Sequence, residues 1–175
     1  VDDIDVDEVM RNRQGTVWEI TAVLREMLLG IGLRPNVLVT RARSSGGFDP
    51  DFVNPGSLRI PLLAVNVDGR EQVAFPFAQG ARLGEYPREL YDMHALSLKT
   101  SRPRPLPAPY SRKSYIEYTV TIDSSSQRLD LEMRGYSAFR MRSTLYSSQE
   151  KDVKEVLQAM LTGMGTSNAL TSYTI

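Results

Sequence analysis

Residues 15–41, GTVWEITAVLREMLLGIGLRPNVLVTR, predict one helix that leads into one buried strand. Thr16 and Glu19 have the spacing of a capping box, in which two side chains bind backbone N–H groups at the helix start. Gly30 is expected to end the helix, and Pro35 precedes Val37–Val39, a short β-prone run typical of a core strand. Apolar residues recur at intervals of three and four, so one helix face should be buried: Val17, Ile20, Val23, Leu24, Met27 and Leu28.

The flanking segments predict hairpins around this helix. Residues 58–67 are typical of a strand, Asp68 and Gly69 are a strong signal for a two-residue turn, and residues 70–77 form the partner strand. A short helix over residues 7–13 and a strand over residues 94–99 complete the first half. One helix followed by hairpin-linked strands predicts an α+β fold, with an antiparallel sheet packed on the helix.

A proline-rich segment divides the chain. Residues 101–109 contain four prolines in nine positions, which favours an extended polyproline II linker between a domain over 1–100 and a smaller β-rich domain over 110–175. Alternating apolar and polar residues predict a hairpin turned at 123–126. A helix over 135–146 should follow, then a second helix that begins at a Ser147 and Glu150 capping box and ends at Gly163. A last strand over 168–175 stops in mid-pattern, so we expect a truncated domain.

The composition excludes several classes of function. The 21 basic and 21 acidic residues balance to a net charge of zero, which argues against a nucleic-acid partner because phosphate binding needs a basic face. No apolar run approaches the roughly 20 residues of a membrane span. The acidic N-terminus is unlike a signal peptide, and its lack of an initiator methionine suggests a segment of a longer protein. The chain has no cysteine, which fits either a reducing or an extracytoplasmic compartment.

The order of motifs resembles a known family. Arg13, Gly15 and Val17, then Gly30 and Gly32, then the strand after Pro35 resemble the catalytic helix and following strand of bacterial transglutaminase-like domains, in the papain-like cysteine-enzyme superfamily. The resemblance covers roughly residues 8–165. It implies a transglutaminase-like core followed by the β-rich domain that often trails it, and it favours a periplasmic or secreted location.

The family needs a cysteine, a histidine and an aspartate, and this chain lacks all three where the resemblance places them. The cysteine position, at the positive end of the helix dipole, is Val17. Counting back from the Asp68 and Gly69 turn gives Ile60 at the histidine position, and counting forward gives Phe75 at the aspartate position. The resemblance therefore implies a pseudoenzyme whose cleft floor is packed hydrocarbon, with no catalytic residue and no cofactor.

Other candidate residues have simpler interpretations. Trp18 is expected to be buried or half-buried beside the sheet, or to offer an aromatic anchor to a partner. His94, the single histidine, has no nucleophile or orienting group near it in sequence and is expected to be structural. Asp49 and Asp51 are two carboxylates in a loop, too few to predict a metal site. Basic side chains that could bind an acidic partner are Arg41, Arg43, Arg102 and Arg104.

The sequence leaves three hypotheses open. The first is a noncatalytic domain in a larger bacterial protein that binds a protein or peptide, along a sheet edge or an interdomain groove, or that spaces its neighbours. The second is an enzyme of this family whose active groups lie outside the segment. The third is a carbohydrate-binding module, which would need Tyr115, Tyr136 and Tyr146 exposed on one face.

Overall fold

The fold is α+β, as the sequence predicts. A computed structural model describes residues 4–46, 48–51, 54–111, 113–122, 127–148 and 150–163. Within these residues the chain forms four helices, one five-stranded antiparallel sheet and one two-stranded antiparallel sheet. The helices are α1 (Val6–Asn12), α2 (Val17–Gly30), α3 (Tyr136–Ser147) and α4 (Glu150–Gly163). The strands are β1 (Asn36–Thr40), β2 (Ile60–Val67), β3 (Arg70–Ala74), β4 (His94–Ser97), β5 (Arg102–Pro105), β6 (Tyr115–Ile122) and β7 (Gln127–Arg134).

Helix α2 begins and ends where the sequence predicts. The Thr16 hydroxyl accepts a hydrogen bond from the Glu19 N–H at 3.3 Å, and the Glu19 carboxylate accepts one from the Thr16 N–H at 2.6 Å. The helix packs against β2, but the prediction of its buried face is partly wrong. Val17 is 42% exposed and Met27 is 56% exposed, whereas the one fully buried residue is Thr21. Thr21 tolerates burial because its hydroxyl donates to the Val17 carbonyl at 2.7 Å.

The β2–β3 hairpin follows its predicted turn. Asp68 and Gly69 both have positive φ, 52° and 75°, as a type I′ turn requires. The order of the five-stranded sheet is β3-β2-β1-β4-β5, with β1 at its centre. Strand β2 is buried on both faces through Pro61, Leu62, Leu63, Ala64 and Val65, so the hairpin anchors the first half of the chain.

The five-stranded sheet is strongly curled. Strands β3 and β5 are its two edges, and in a flat sheet four strand spacings would hold them about 19 Å apart. Arg104 on β5 nevertheless forms a bidentate ion pair with Glu71 on β3, with Nη1 3.0 Å from Oε1. The buried residues of this part of the chain form one continuous apolar core: Leu38, Val39, Phe48, Leu58, Leu62, Ala64, Val73, Tyr86, Leu90, Met93, Ala95 and Leu106.

The predicted linker over 101–109 is partly wrong. Residues Arg102–Pro105 form the edge strand β5, which pairs with β4 in the register Ser97 to Arg102 and Ala95 to Arg104. The Leu106 N–H continues this ladder by donating to the Met93 carbonyl at 2.8 Å. Because hydrogen-bonded positions alternate, Pro103 and Pro105 fall where no N–H is needed for the pairing with β4.

The second half contains the predicted β6–β7 hairpin and two helices. Helix α3 contacts both strands of this hairpin. The predicted Ser147 cap is wrong, because Ser147 is the last residue of α3 and its hydroxyl donates to the Ser143 carbonyl at 2.8 Å. Helix α4 is described through Gly163, and the residues that would test the predicted helix end lie outside the described part of the chain. The predicted turn at 123–126 and the last strand at 168–175 lie outside the described residues.

Candidate functional site

Two of the three positions that the resemblance assigns to a catalytic triad lie at the same end of the β2–β3 hairpin. Ile60 begins β2 and Phe75 directly follows β3, so both lie at the open end of the hairpin, opposite its turn. The last paired residues before this end are Leu63 and Ala74. Ile60 and Phe75 are partly buried against the same apolar core. The Phe75 ring also meets Phe77 edge to face, with centroids 5.2 Å apart.

The start of α2 supplies the third position. Trp18 packs on the core that also receives Ile60 and Phe75, which confirms a half-buried tryptophan beside the sheet. Val17 remains 42% exposed, so the prediction that it belongs to the packed core is wrong. At the first helical residue its side chain stays in solvent while Trp18 turns inward.

The electrostatics at the helix start suit a negative group. The hydrogen bonds from Thr16, chiefly from its backbone N–H, lower the pKa of Glu19 below its ordinary value. The carboxylate is therefore ionised beside the N-terminal N–H groups, where the helix dipole also favours negative charge. A thiol placed at Val17 would experience the same dipole.

The four predicted basic residues have different environments. Arg104 is paired with Glu71, and an Arg43 Nη atom donates to the Tyr91 carbonyl at 2.7 Å. Arg102 is exposed at the start of β5. The Arg41 Nε is buried without a hydrogen-bond partner, and Arg41 follows the end of β1. Because two of the four guanidinium groups are engaged within the chain, an acidic partner would find only part of the predicted patch available.

The contacts described for His94 and Asp49 lie within the chain. The His94 carbonyl accepts a hydrogen bond from the Thr40 hydroxyl at 2.7 Å, which ties β4 to β1. Asp49 accepts from the Asp51 N–H at 2.9 Å, the pattern of an Asx turn. Among the described residues, no group of three or more His, Asp or Glu side chains is placed to hold a metal ion.

A pocket of about 440 Å³ opens between the first and second halves of the chain. Its walls come from the segment between β3 and β4, from residues 109–111, and from the end of β7 with α3. One wall consists of aromatic rings in contact with one another. Tyr91 packs edge to face against both Tyr86 and Tyr136, and Tyr136 stacks on Phe139. Charged residues at the pocket are Arg82, Glu85, Glu132, Arg134 and Arg142.

An ion pair that the sequence did not indicate joins the two halves beside this pocket. Arg142 on α3 donates to both Glu85 carboxylate oxygens, one of them at 2.6 Å, and its Nε donates to the Gly80 carbonyl at 3.0 Å. The two side chains are only 21% and 17% exposed. They lie 57 residues apart in the chain, and no local spacing signals such a contact.

The two halves of the chain also approach each other closely at two glycines, Gly80 and Gly84. Gly84 has φ +82°, and a Cβ there would lie 2.9 Å from the Tyr110 Cβ. A Cβ on Gly80 would overlap the Tyr146 ring, so this tyrosine lies against the first half of the chain. Tyr115 is instead approached by the Arg134 guanidinium, 5.8 Å from its ring centroid. Tyr115, Tyr136 and Tyr146 therefore have separate intramolecular partners.

Comparison with known proteins identifies no relative. No protein-family model, curated protein or solved structure matches the chain. In the part of the chain that the structure describes, no helix combines the length and the apolar character needed to cross a bilayer.

Proposed function

We propose that this chain is a noncatalytic transglutaminase-like domain of a larger bacterial protein, exported from the cytoplasm, that binds a protein or peptide partner. One observation carries the proposal. The positions corresponding to the family's histidine and aspartate, Ile60 and Phe75, lie at one end of the same hairpin, and they share their apolar core with Trp18 at the start of α2. The resemblance implies catalytic groups carried by a helix start and by two hairpin strands, and the placement of Trp18, Ile60 and Phe75 supports that interpretation.

Hydrocarbon at these positions removes the family's cysteine-dependent route to acyl transfer. A thiolate must attack the amide carbon, an imidazole must move the proton, and a carboxylate must orient the imidazole. Val17, Ile60 and Phe75 offer none of these groups, and the chain has no cysteine. Buried aliphatic and aromatic side chains instead stabilise the fold by roughly 1.5–3 kcal/mol each, so Ile60 and Phe75 support the scaffold on which a partner binds.

The junction between the two halves is the surface that we propose for recognition. The pocket there is concave and aromatic-walled, and its volume of about 440 Å³ is within the usual range for ligand sites. An interdomain groove is one of the two binding surfaces that the sequence analysis leaves open, and the position of this pocket supports that alternative. Rigid spacing of neighbouring domains is the second role we propose, because the Arg142 and Glu85 ion pair ties α3 to the first half of the chain.

An activity assay tests the noncatalytic assignment. The native chain is expected to show no hydrolysis of glutamine or peptide amides and no transfer of acyl groups to an added amine, because it has no nucleophile at the helix start. The measurement is ammonia or amine release over time, with the triple variant Val17→Cys, Ile60→His, Phe75→Asp as the comparison. The same assay is then run on the full-length gene product.

The outcomes separate the hypotheses. Turnover by the native chain would overturn the noncatalytic assignment. Turnover by the full-length protein alone would favour an enzyme whose active groups lie outside this segment. If neither the native chain nor the full-length protein is active, the result supports the proposal. Measurable activity in the folded triple variant would strengthen it.

A further inference from the structure

We propose that strand β6 is a self-association surface, through which two copies of this chain pair as antiparallel edge strands about a two-fold axis at Tyr118. The strand has the sequence YIEYTVTI over residues 115–122. In the part of the chain that the structure describes, β6 pairs with β7 alone, so its other side is a sheet edge. The inference goes beyond the proposed function and concerns a different surface from the junction pocket.

The apolar side chains of β6 are exposed on one face of the hairpin. Ile116, Tyr118 and Val120 are 47%, 62% and 51% exposed. The β7 residues opposite them are half-buried: Met133, Leu131 and Leu129. Helix α3, which contacts the hairpin, therefore shields the β7 side of this face more than the β6 side. A row of exposed apolar side chains along a sheet edge is characteristic of a surface that pairs with another chain.

The other strand edges carry features that oppose such pairing. Proline at positions 103 and 105 of β5 removes two N–H donors from the side that faces away from β4. The ion pair between Arg104 and Glu71 connects the β5 and β3 edges to each other. Strand β7 has a charge at every second position: Arg128, Asp130, Glu132 and Arg134. Strand β6 has no proline and a single charged residue, Glu117, so it alone lacks this protection.

The exposed row of β6 is nearly palindromic, which favours a second copy as its partner. With the two-fold axis at Tyr118, Ile116 of each copy lies opposite Val120 of the other, so two β-branched side chains meet. Glu117 then lies opposite Thr119, and no like charges are directly opposed. An axis at Glu117 would oppose two carboxylates, which disfavours that register. The net charge of zero adds no long-range repulsion between copies.

Sedimentation analysis of the native chain over a range of concentrations tests this inference. The expected result is a reversible rise in mass from 19.6 kDa towards twice that value. Hydrogen exchange of the β6 amides should slow as the dimer forms, because the edge N–H groups then donate across the two-fold axis. A chain that stays monomeric at about 1 mM, the dissociation constant of a very weak complex, would overturn the inference, whichever other segment covers the edge.

Two opposite charges at position 118 test the pairing itself. Tyr118→Lys and Tyr118→Glu should each dimerise roughly tenfold more weakly, because the two-fold axis places like charges opposite each other. An equimolar mixture of the two variants should recover the dimer, because a lysine then lies opposite a glutamate. Since Tyr118 is an exposed side chain, circular dichroism should show both variants folded.

Ile31→Lys is the matched control. Ile31 is 74% exposed after the end of α2 and lies outside β6, so this change should leave dimerisation unaltered. Equal weakening by Ile31→Lys and Tyr118→Lys would indicate nonspecific apolar association and overturn the inference. Mixing the two Tyr118 variants without any gain in dimer would do the same. The amide-hydrolysis assay does not depend on dimerisation, so a monomeric, inactive chain refutes the self-association alone.

Discussion

Gly135→Ala should destabilise the chain more than any other glycine-to-alanine change among the described residues, by at least ~3 kcal/mol. Gly135 has φ +61° and ψ −136°, a conformation that residues with a Cβ rarely adopt. A Cβ there would also overlap the backbone carbonyl of Lys113, which cannot move aside as a flexible side chain can. Urea unfolding followed by circular dichroism measures the change in the free energy of unfolding.

Gly30→Ala is the matched control for this prediction. Gly30 is the last residue of α2, and a Cβ there would have no neighbour within 4 Å. Alanine has the higher helix propensity, so this change should be neutral or stabilising by up to about 1 kcal/mol. If Gly135→Ala cost no more than Gly30→Ala, the close approach of α3 to the segment before β6 would be wrong.

The ion pair between Arg142 and Glu85 should show a coupling energy of about 2 kcal/mol in a double-mutant cycle with Arg142→Met and Glu85→Gln. This expected coupling energy is larger than the roughly 0–1 kcal/mol that exposed ion pairs contribute. It is smaller than the roughly 3–5 kcal/mol that is lost when one partner of a fully buried pair is removed. Side-chain exposures of 21% and 17% place this pair nearer the buried limit. The measurement is the free energy of unfolding of the native chain, both single variants and the double variant.

Arg128 and Asp130 provide the control cycle. Their guanidinium and carboxylate are also paired, at 2.9 Å, but the side chains are 76% and 52% exposed. Solvent screening should reduce their coupling to below about 0.5 kcal/mol. Equal coupling in the two cycles would show that α3 is not held to the first half of the chain through Arg142.

Features set by neighbours in sequence could be predicted from the sequence. The Thr16 and Glu19 capping box depends on residues three positions apart, and the turn at Asp68 and Gly69 depends on adjacent residues with positive φ. The alternation in β6 and β7 likewise gives their pairing, with Tyr118 opposite Leu131. In each case the physical cause lies within one element or one hairpin.

Features that depend on distant partners could not be predicted from the sequence. Residues 102–105 became a strand because β4 offered an unpaired edge, which outweighed the polyproline preference of the sequence. Arg142 gave no local sign of its contact with Glu85, and both residues line the pocket. Thr21 interrupts the apolar pattern of α2 yet is its buried residue, because Val17 accepts its hydroxyl hydrogen.

The candidate site also contains residues whose position could be predicted from the sequence and one residue whose environment could not. Ile60 and Phe75 were placed by counting from the hairpin turn, and the structure brings them to one end of that hairpin. Val17 was assigned to the site by the resemblance and to the buried face by periodicity, and periodicity cannot distinguish a first helical residue in solvent from one in the core. Its exposure leaves the helix start accessible, a property that can be measured directly.

The most direct test of the proposed kinship with transglutaminase-like domains is the pKa of a thiol introduced by Val17→Cys, followed through thiolate absorbance against pH. The helix dipole should lower this pKa below the usual value of about 8.5, whereas Met27→Cys, exposed near the other end of α2, should not show a lowered pKa. Adding Ile60→His to Val17→Cys should lower the thiol pKa further, because a charged imidazole beside it favours the thiolate. If the thiol pKa does not change when Ile60→His is added, residues 17 and 60 are not close together. That result would contradict the proposed kinship.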